Sequence, residues 1–261
     1  MSPSTVVVRI SDHLLVGGNI FVGDLRGLKD LVLPNSLEVV ENGWFTNSGI
    51  ESAAIPASVR ELGDCAFACC KLLKRVDFQP GSALKRIGAR CFFMSGLEGI
   101  ETPQGLAEIG ERAFSRCAFL RNVVLNEGLR VLGEAVFAHT PIERVDVPST
   151  VQILPKSTFC QCKSLREVQF HEGPDELGEG CFWETKFPEL NIPASVRVIE
   201  KHAFGYCREL KQLEFTEGSR LERVGDYALF ETQLKGKVHF PEGAEIPDTL
   251  FDIKHGEFCA A

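Results

Sequence analysis

The chain has 261 residues, 44% of them hydrophobic and 25% charged, an ordinary globular composition that argues against a disordered chain. Its net charge of −8, with Lys and Arg scattered and no polybasic block, excludes the basic face that nucleic acid or an anionic membrane surface requires.

In chain order, the opening MSPSTVVVRISDHLL has no charged region followed by a long apolar run. Val6 to Ile10 is too short for a signal-peptide core and is broken by Arg9. No window approaches the ~18 apolar residues of a membrane span, so no membrane insertion is expected. No Asn-x-Ser/Thr sequon occurs. Residues 1–27 follow the later pattern poorly and are expected to form an N-terminal cap.

Residues 28–261 read as a solenoid of about ten coils. Phe45, Phe67, Phe92, Phe114, Phe137, Phe159, Phe182 and Phe204 recur every 22–25 residues, and Leu229 and Phe251 continue the series. A period of this length fixes the architecture before any local feature does. Five residues before each anchor the chain is always apolar, from Val40 and Leu62 to Val224 and Ile246. Four residues before it stand Gly63, Gly88, Gly110, Gly133, Gly178 and Gly225, which suits a turn with positive φ.

Between anchors runs apolar-x-x-apolar-x-apolar, as in Leu73, Val76, Phe78 and Leu165, Val168, Phe170. Its last two positions alternate as a short half-buried strand requires, and such a strand buries its face only by stacking on its neighbours. The coils also alternate in kind. Three residues after the anchor, Cys70, Cys117, Cys162 and Cys207 interleave with Ser48, Ser95, Thr140, Thr185 and Thr232. The unit is therefore two coils, about 45 residues, and insertions at Gly81-Ser82 and Gly218-Ser219 lengthen two of them.

The string IPASVRELGDCAFACCKLLKRVDF and its copies resemble the BspA-like leucine-rich repeats, over roughly residues 28–251. The resemblance implies surface adhesion or protein binding, with no catalytic residues to carry over. The expected fold is an α/β repeat solenoid, a right-handed leucine-rich-repeat superhelix. A parallel β-sheet would line its concave face, and short strands or 3-10 turns its convex side.

The ten cysteines register with the apolar repeat and read as small core residues. Members of the column sit ~10 Å apart in alternate coils, beyond the ~7 Å limit for a disulfide. Reduced thiols favour the cytoplasm, and the family resemblance suggests the cell surface as the alternative. Cys69-Cys70 and Cys160-x-Cys162, with His171 downstream, lack the second half of a zinc motif, so no metal is expected. No catalytic constellation or cofactor motif occurs, and Gly178-x-Gly180 lies within the repeat's own turn. Trp183 and Phe93, directly after their anchors, are candidates for apolar spots on the convex side.

Function then falls on the outward strand positions. The row between the last two apolar positions contains Val32, Ala54, Asp77, Glu101, Val124, Asp146, Gln169, Asn191, Glu214 and, after a one-residue slip, His239. A parallel row contains Arg75, Arg144 and Glu167. Asp77, Glu101, Asp146, Gln169, Asn191, Glu214, Arg75, Arg144 and Glu167 are the candidate partner-binding residues. Asp77 and Glu101 are expected to be like-charged neighbours across two strands, which disfavours folding slightly. Two readings stay open for this row: a basic protein partner or bound cation, or a solvated acidic face. The function expected is a non-enzymatic protein-binding or adhesion module. The alternatives are a metal-binding or enzymatic protein built on the cysteine turns, and a tile that self-associates end to end.

Overall fold

The computed structural model describes residues 7–9, 25–27 and 29–252. The rest of the expected cap and Cys259 lie outside the described residues. The chain coils into a β-solenoid in which each turn contributes one strand to each of two parallel stacks. The first stack holds β1 Val7–Arg9, β2 Asp30–Val32, β4 Ser52–Ile55, β6 Arg75–Phe78, β8 Gly99–Glu101 and β10 Asn122–Val124. It continues with β12 Arg144–Val147, β14 Glu167–Phe170, β16 Glu189–Ile192 and β18 Gln212–Phe215. The second stack is made of two-residue strands: β3 Val39–Val40, β5 Glu61–Leu62, β7 Arg86–Ile87, β9 Glu108–Ile109 and β11 Val131–Leu132. Then come β13 Ile153–Leu154, β15 Glu176–Leu177, β17 Val198–Ile199 and β19 Arg223–Val224.

The expected cap continues the first stack, since Val7 to Arg9 pair in parallel with Asp30 to Val32. At the other end no strand among the described residues follows the column positions Leu229 and Phe251, and an isolated bridge, Arg223 to Glu245, extends the second stack. The regular part is therefore the eight turns that carry a phenylalanine anchor. Their rings, from Phe45 to Phe204, stack with centroids 5.1–5.6 Å apart and planes within 25°. The apolar residues five before the anchors are buried beside them in one continuous core.

The α/β expectation is corrected: among the described residues the one helical element is a 3-10 turn, Leu25–Gly27. The reason lies around the anchor. Residues two before and two after it sit at positive φ in coil after coil, as in Cys65 (56°) and Cys69 (59°) or Ala135 (53°) and His139 (61°). Left-handed residues at this spacing forbid a helix. The turn instead donates from coil to coil, as in Cys65 N to Ala89 O (2.9 Å), Phe67 N to Cys91 O (2.8 Å) and Cys69 N to Phe93 O (2.7 Å).

The glycine column also has a different cause from the expected one. None of the six glycines four before the anchor has positive φ. A Cβ on Gly133 would instead lie 2.3 Å from Glu111 N of the preceding coil. The column is glycine because neighbouring coils touch there through their backbones.

The two-coil unit has a physical basis in the alternating column. Ser48 Oγ meets Cys70 Sγ at 3.2 Å, Ser95 meets Cys117 at 3.3 Å, Thr140 meets Cys162 at 3.4 Å and Thr185 meets Cys207 at 3.1 Å. Each thiol also donates to the preceding anchor's carbonyl, at 3.0–3.1 Å. The step from a Ser or Thr coil to its Cys partner is always 22 residues; the step out of a Cys coil is 23 or 25. From β6 onward the first stack follows the same unit, with ladders β8–β10, β12–β14 and β16–β18 unbroken inside a pair and interrupted between pairs, whereas β1, β2, β4 and β6 form one continuous sheet.

Candidate functional site

The first stack buries alternate residues and exposes the others, so a row of side chains stands free on its outer face. Asp77, Glu101, Asp146, Gln169, Asn191 and Glu214 are all exposed, as are Arg75, Arg144 and Glu167. The ladder register sets Asp146 opposite Gln169, Asn191 opposite Glu214 and Arg144 opposite Glu167. All nine candidates therefore share one face.

Its charge pattern differs from the expected run of like charges. Asp77 lies opposite Ala54, not Glu101, because β6 and β8 belong to separate ladders. Its carboxylate pairs with Arg75 of its own strand at 2.8 Å. Arg144 pairs with Glu167 at 3.0 Å, and Gln212 donates to Glu214 at 2.7 Å. Glu101 and Asp146 have no ion pair among the described residues. The row is a mixed polar face, acidic at Glu101 and Asp146.

Asp77 and Glu101 do come together, but in a cleft. A cavity of about 550 Å³ opens beside β6 and β8, lined by both carboxylates, Gln79, Ser82, Gln104 and Asn126 over the half-buried ring of Phe78. A second, of about 670 Å³, opens at the equivalent place near the C-terminal end, where Glu214, Lys237 and His239 surround Phe215 and Phe240. Both clefts sit where a coil runs to 25 residues, and the inserted Gly81-Ser82 and Gly218-Ser219 form one rim of each. The lengthened steps were the sequence's signal for Gln79, Gln104 and Lys237, which the alternation of strand residues does not single out.

The cysteine turns offer no comparable site. Cys160 and Cys162 face different compartments, Cys162 in the main core and Cys160 in a small cluster with Ala135, Ala138 and Trp183. Burial pushes Cys117 and Cys162 up to about 11, and Cys160 and Cys207 up to about 12. Such thiols stay protonated and are poor nucleophiles or ligands at neutral pH. Among the described residues no group of three His, Cys, Asp or Glu side chains is placed to hold a metal ion. Trp183 is also corrected: it is buried (8% exposed), packed at 4.7 Å on Tyr206 and over Gly205, where a Cβ would lie 2.5 Å from its ring. Phe93 is half-buried. No helix among the described residues is long and apolar enough to cross a membrane.

Among solved structures, the pneumococcal vaccine antigen PcpA resembles the chain with a TM-score of 0.60 at 24% identity, over 77% of this chain and 54% of PcpA. This chain thus spans about half of PcpA's length. The T. pallidum leucine-rich-repeat protein TpLRR gives a TM-score of 0.54 at 28% identity, over 59% of this chain and 75% of that one. No curated protein matches the sequence. The description "BspA type Leucine rich repeat region (6 copies)" matches residues 16–141 and 130–255, nearly the whole length. With its stacked anchors, parallel ladders and two-coil unit, the chain belongs to the BspA-type leucine-rich-repeat family.

Proposed function

We propose that the chain is a non-enzymatic protein-binding or adhesion module. Its outward strand face would line the concave side of a right-handed superhelix and hold an extended, basic protein partner. One observation carries this reading: the same cleft is built twice, at the two 25-residue coils, while the buried columns run on unchanged. A scaffold that keeps its core and varies only its outward positions and rims is suited to recognition. The clefts lie six coils apart, so an extended segment engaging both gains from linkage without tight binding at either.

The test is the replacement of Asp77, Glu101, Asp146 and Glu214 by Asn or Gln. All four are exposed, so stability should change by no more than ~0.5 kcal/mol. A partner isolated with the wild-type protein should associate more slowly with the variant, and its binding should lose most of its salt dependence. Unaltered affinity and salt dependence would remove this face as the binding site.

A further inference from the structure

The strand face is not the only surface on which the coils differ. In every Cys coil the turn from anchor to strand is one residue longer than in a Ser or Thr coil, and the extra residue stands at its tip. The tips are Leu72, Phe119, Ser164 and Glu209. In the second half the tip is a serine or a glutamate, and Glu209 pairs there with Arg166 and with Lys186 (3.6 Å). The first half exposes Leu72 by 52% and Phe119 by 60%.

A neighbouring column repeats the contrast. Lys163 and Arg208, one residue before their tips, pair with Glu184 (3.2 Å) and Glu231 (3.4 Å) of the following coil. In the first half the basic residue is Lys71, and the position that should supply its carboxylate is Met94, 40% exposed. Neither Lys71 nor Arg116 has an ion pair among the described residues. Met94 belongs to the coil between the two tips: its N–H donates to Ser115 O (3.1 Å), and Gly96 N donates to Cys70 O (3.0 Å). Leu72, Met94 and Phe119 thus stand exposed on three successive coils, within roughly 10 Å of stack, beside Lys71 and Arg116.

We infer that this surface, Leu72–Met94–Phe119 with Lys71 and Arg116, is a docking site for an acidic protein segment carrying apolar side chains. Isolated exposed apolar residues need no explanation, but three on successive coils do. Here the repeat itself shows that the fold does not require them. The flanking charges select the occupant. A two-fold pairing of these surfaces would set Lys71 and Arg116 against their own kind, and an anionic membrane is opposed by the net charge of −8. Asp or Glu beside the anchoring side chains would complete the pairs that Glu184 and Glu231 complete in the other half.

The experiment compares the full chain with a triple variant carrying the second half's residue types, Leu72→Ser, Met94→Glu and Phe119→Glu. Each is screened on an array of random-sequence peptides about twelve residues long. The variant should melt within about 3 °C of wild type, because the changes lie on the surface. Wild type should enrich sequences pairing Asp or Glu with Phe, Leu or Trp. The best of these peptides should bind the variant at least about tenfold more weakly. Its affinity for wild type should fall as salt rises from about 50 to 500 mM. Three outcomes would overturn the inference: no such enrichment, equal binding by the variant, or capture of phosphatidylserine vesicles in place of peptides. Light scattering that shows a dimer broken by Phe119→Glu alone would reassign the surface to self-association. Because none of the strand-face residues is altered, failure here leaves the concave-face proposal standing, and the converse also holds.

Discussion

At the scale of single residues, the alternating Ser/Thr and Cys column shows how two polar groups can live in a core. Phe137 O accepts from both the Thr140 hydroxyl (2.7 Å) and the Cys162 thiol (3.1 Å), so neither is left unsatisfied. The cysteine's place in an apolar column was legible in the sequence; its hydrogen bonds were not, because they join residues 22 and 25 apart along the chain. The thiols make a pH prediction. Burial raises Cys162 from an ordinary 9.0 to about 11. The folded state therefore holds this proton more tightly than the unfolded chain. That contribution is fully present below pH 9 and is lost as pH rises through about 11. It amounts to at most roughly 3 kcal/mol. Urea midpoints measured from pH 8 to pH 11 should fall, and Cys162→Ser, which has no thiol to ionise, should fall less steeply. Parallel slopes for the two proteins would show that the buried thiol is not coupled to folding.

Among the elements, the phenylalanine stack carries the most concentrated burial. Phe137 lies between Phe114 and Phe159, both at 5.5 Å, and is fully buried. Phe137→Ala should cost roughly 3–5 kcal/mol, the range for a large aromatic lost from a packed core. Phe251 follows Leu229 in the column and is only half-buried, so Phe251→Ala should cost much less. Denaturant melts with equal losses at both sites would contradict a linear stack. The anchors and both strand stacks were legible because each is a column repeated many times, and repetition separates signal from coincidence. The turns that stand in place of helix were not, because nothing in the residue types announces left-handed backbone at Cys65, Cys69, Arg90 or Met94. The glycines four before the anchor were read as positive-φ residues for the same reason: a glycine kept clear for a neighbouring backbone looks identical in sequence. Of the candidate site, the outward face was readable from strict alternation. The pairing of Asp77 with Arg75 and the two clefts depend on where ladders break and loops swell, which one-dimensional spacing does not encode.

At the scale of the whole molecule, the two-coil unit governs how the solenoid can be shortened. Stability in such an array is a sum of coil terms and nearest-neighbour interfaces, so a deletion matters chiefly through the new interface it creates. Removing residues 138–182, 45 in all, joins Phe137 to Trp183 and leaves a Thr coil, now with Thr185, following the Cys117 coil and preceding the Cys207 coil. Every remaining thiol of the alternating column keeps a hydroxyl partner, and β11 meets β17 with Val131 beside Val198, apolar against apolar. Removing only residues 138–159, 22 in all, sets the Cys162 coil directly on the Cys117 coil. Cys162 then loses Thr140, a partner worth about 0.5–1.5 kcal/mol. Two longer Cys-type turns also meet where a long and a short one interlocked. The resulting fault plane weakens coupling between the halves. The larger deletion should therefore unfold in one transition at a higher denaturant concentration than the smaller one, although it removes twice as many residues. A midpoint that instead falls in proportion to the number of coils removed would mean that the coils are interchangeable and that the hydroxyl–thiol pairs do not set the unit.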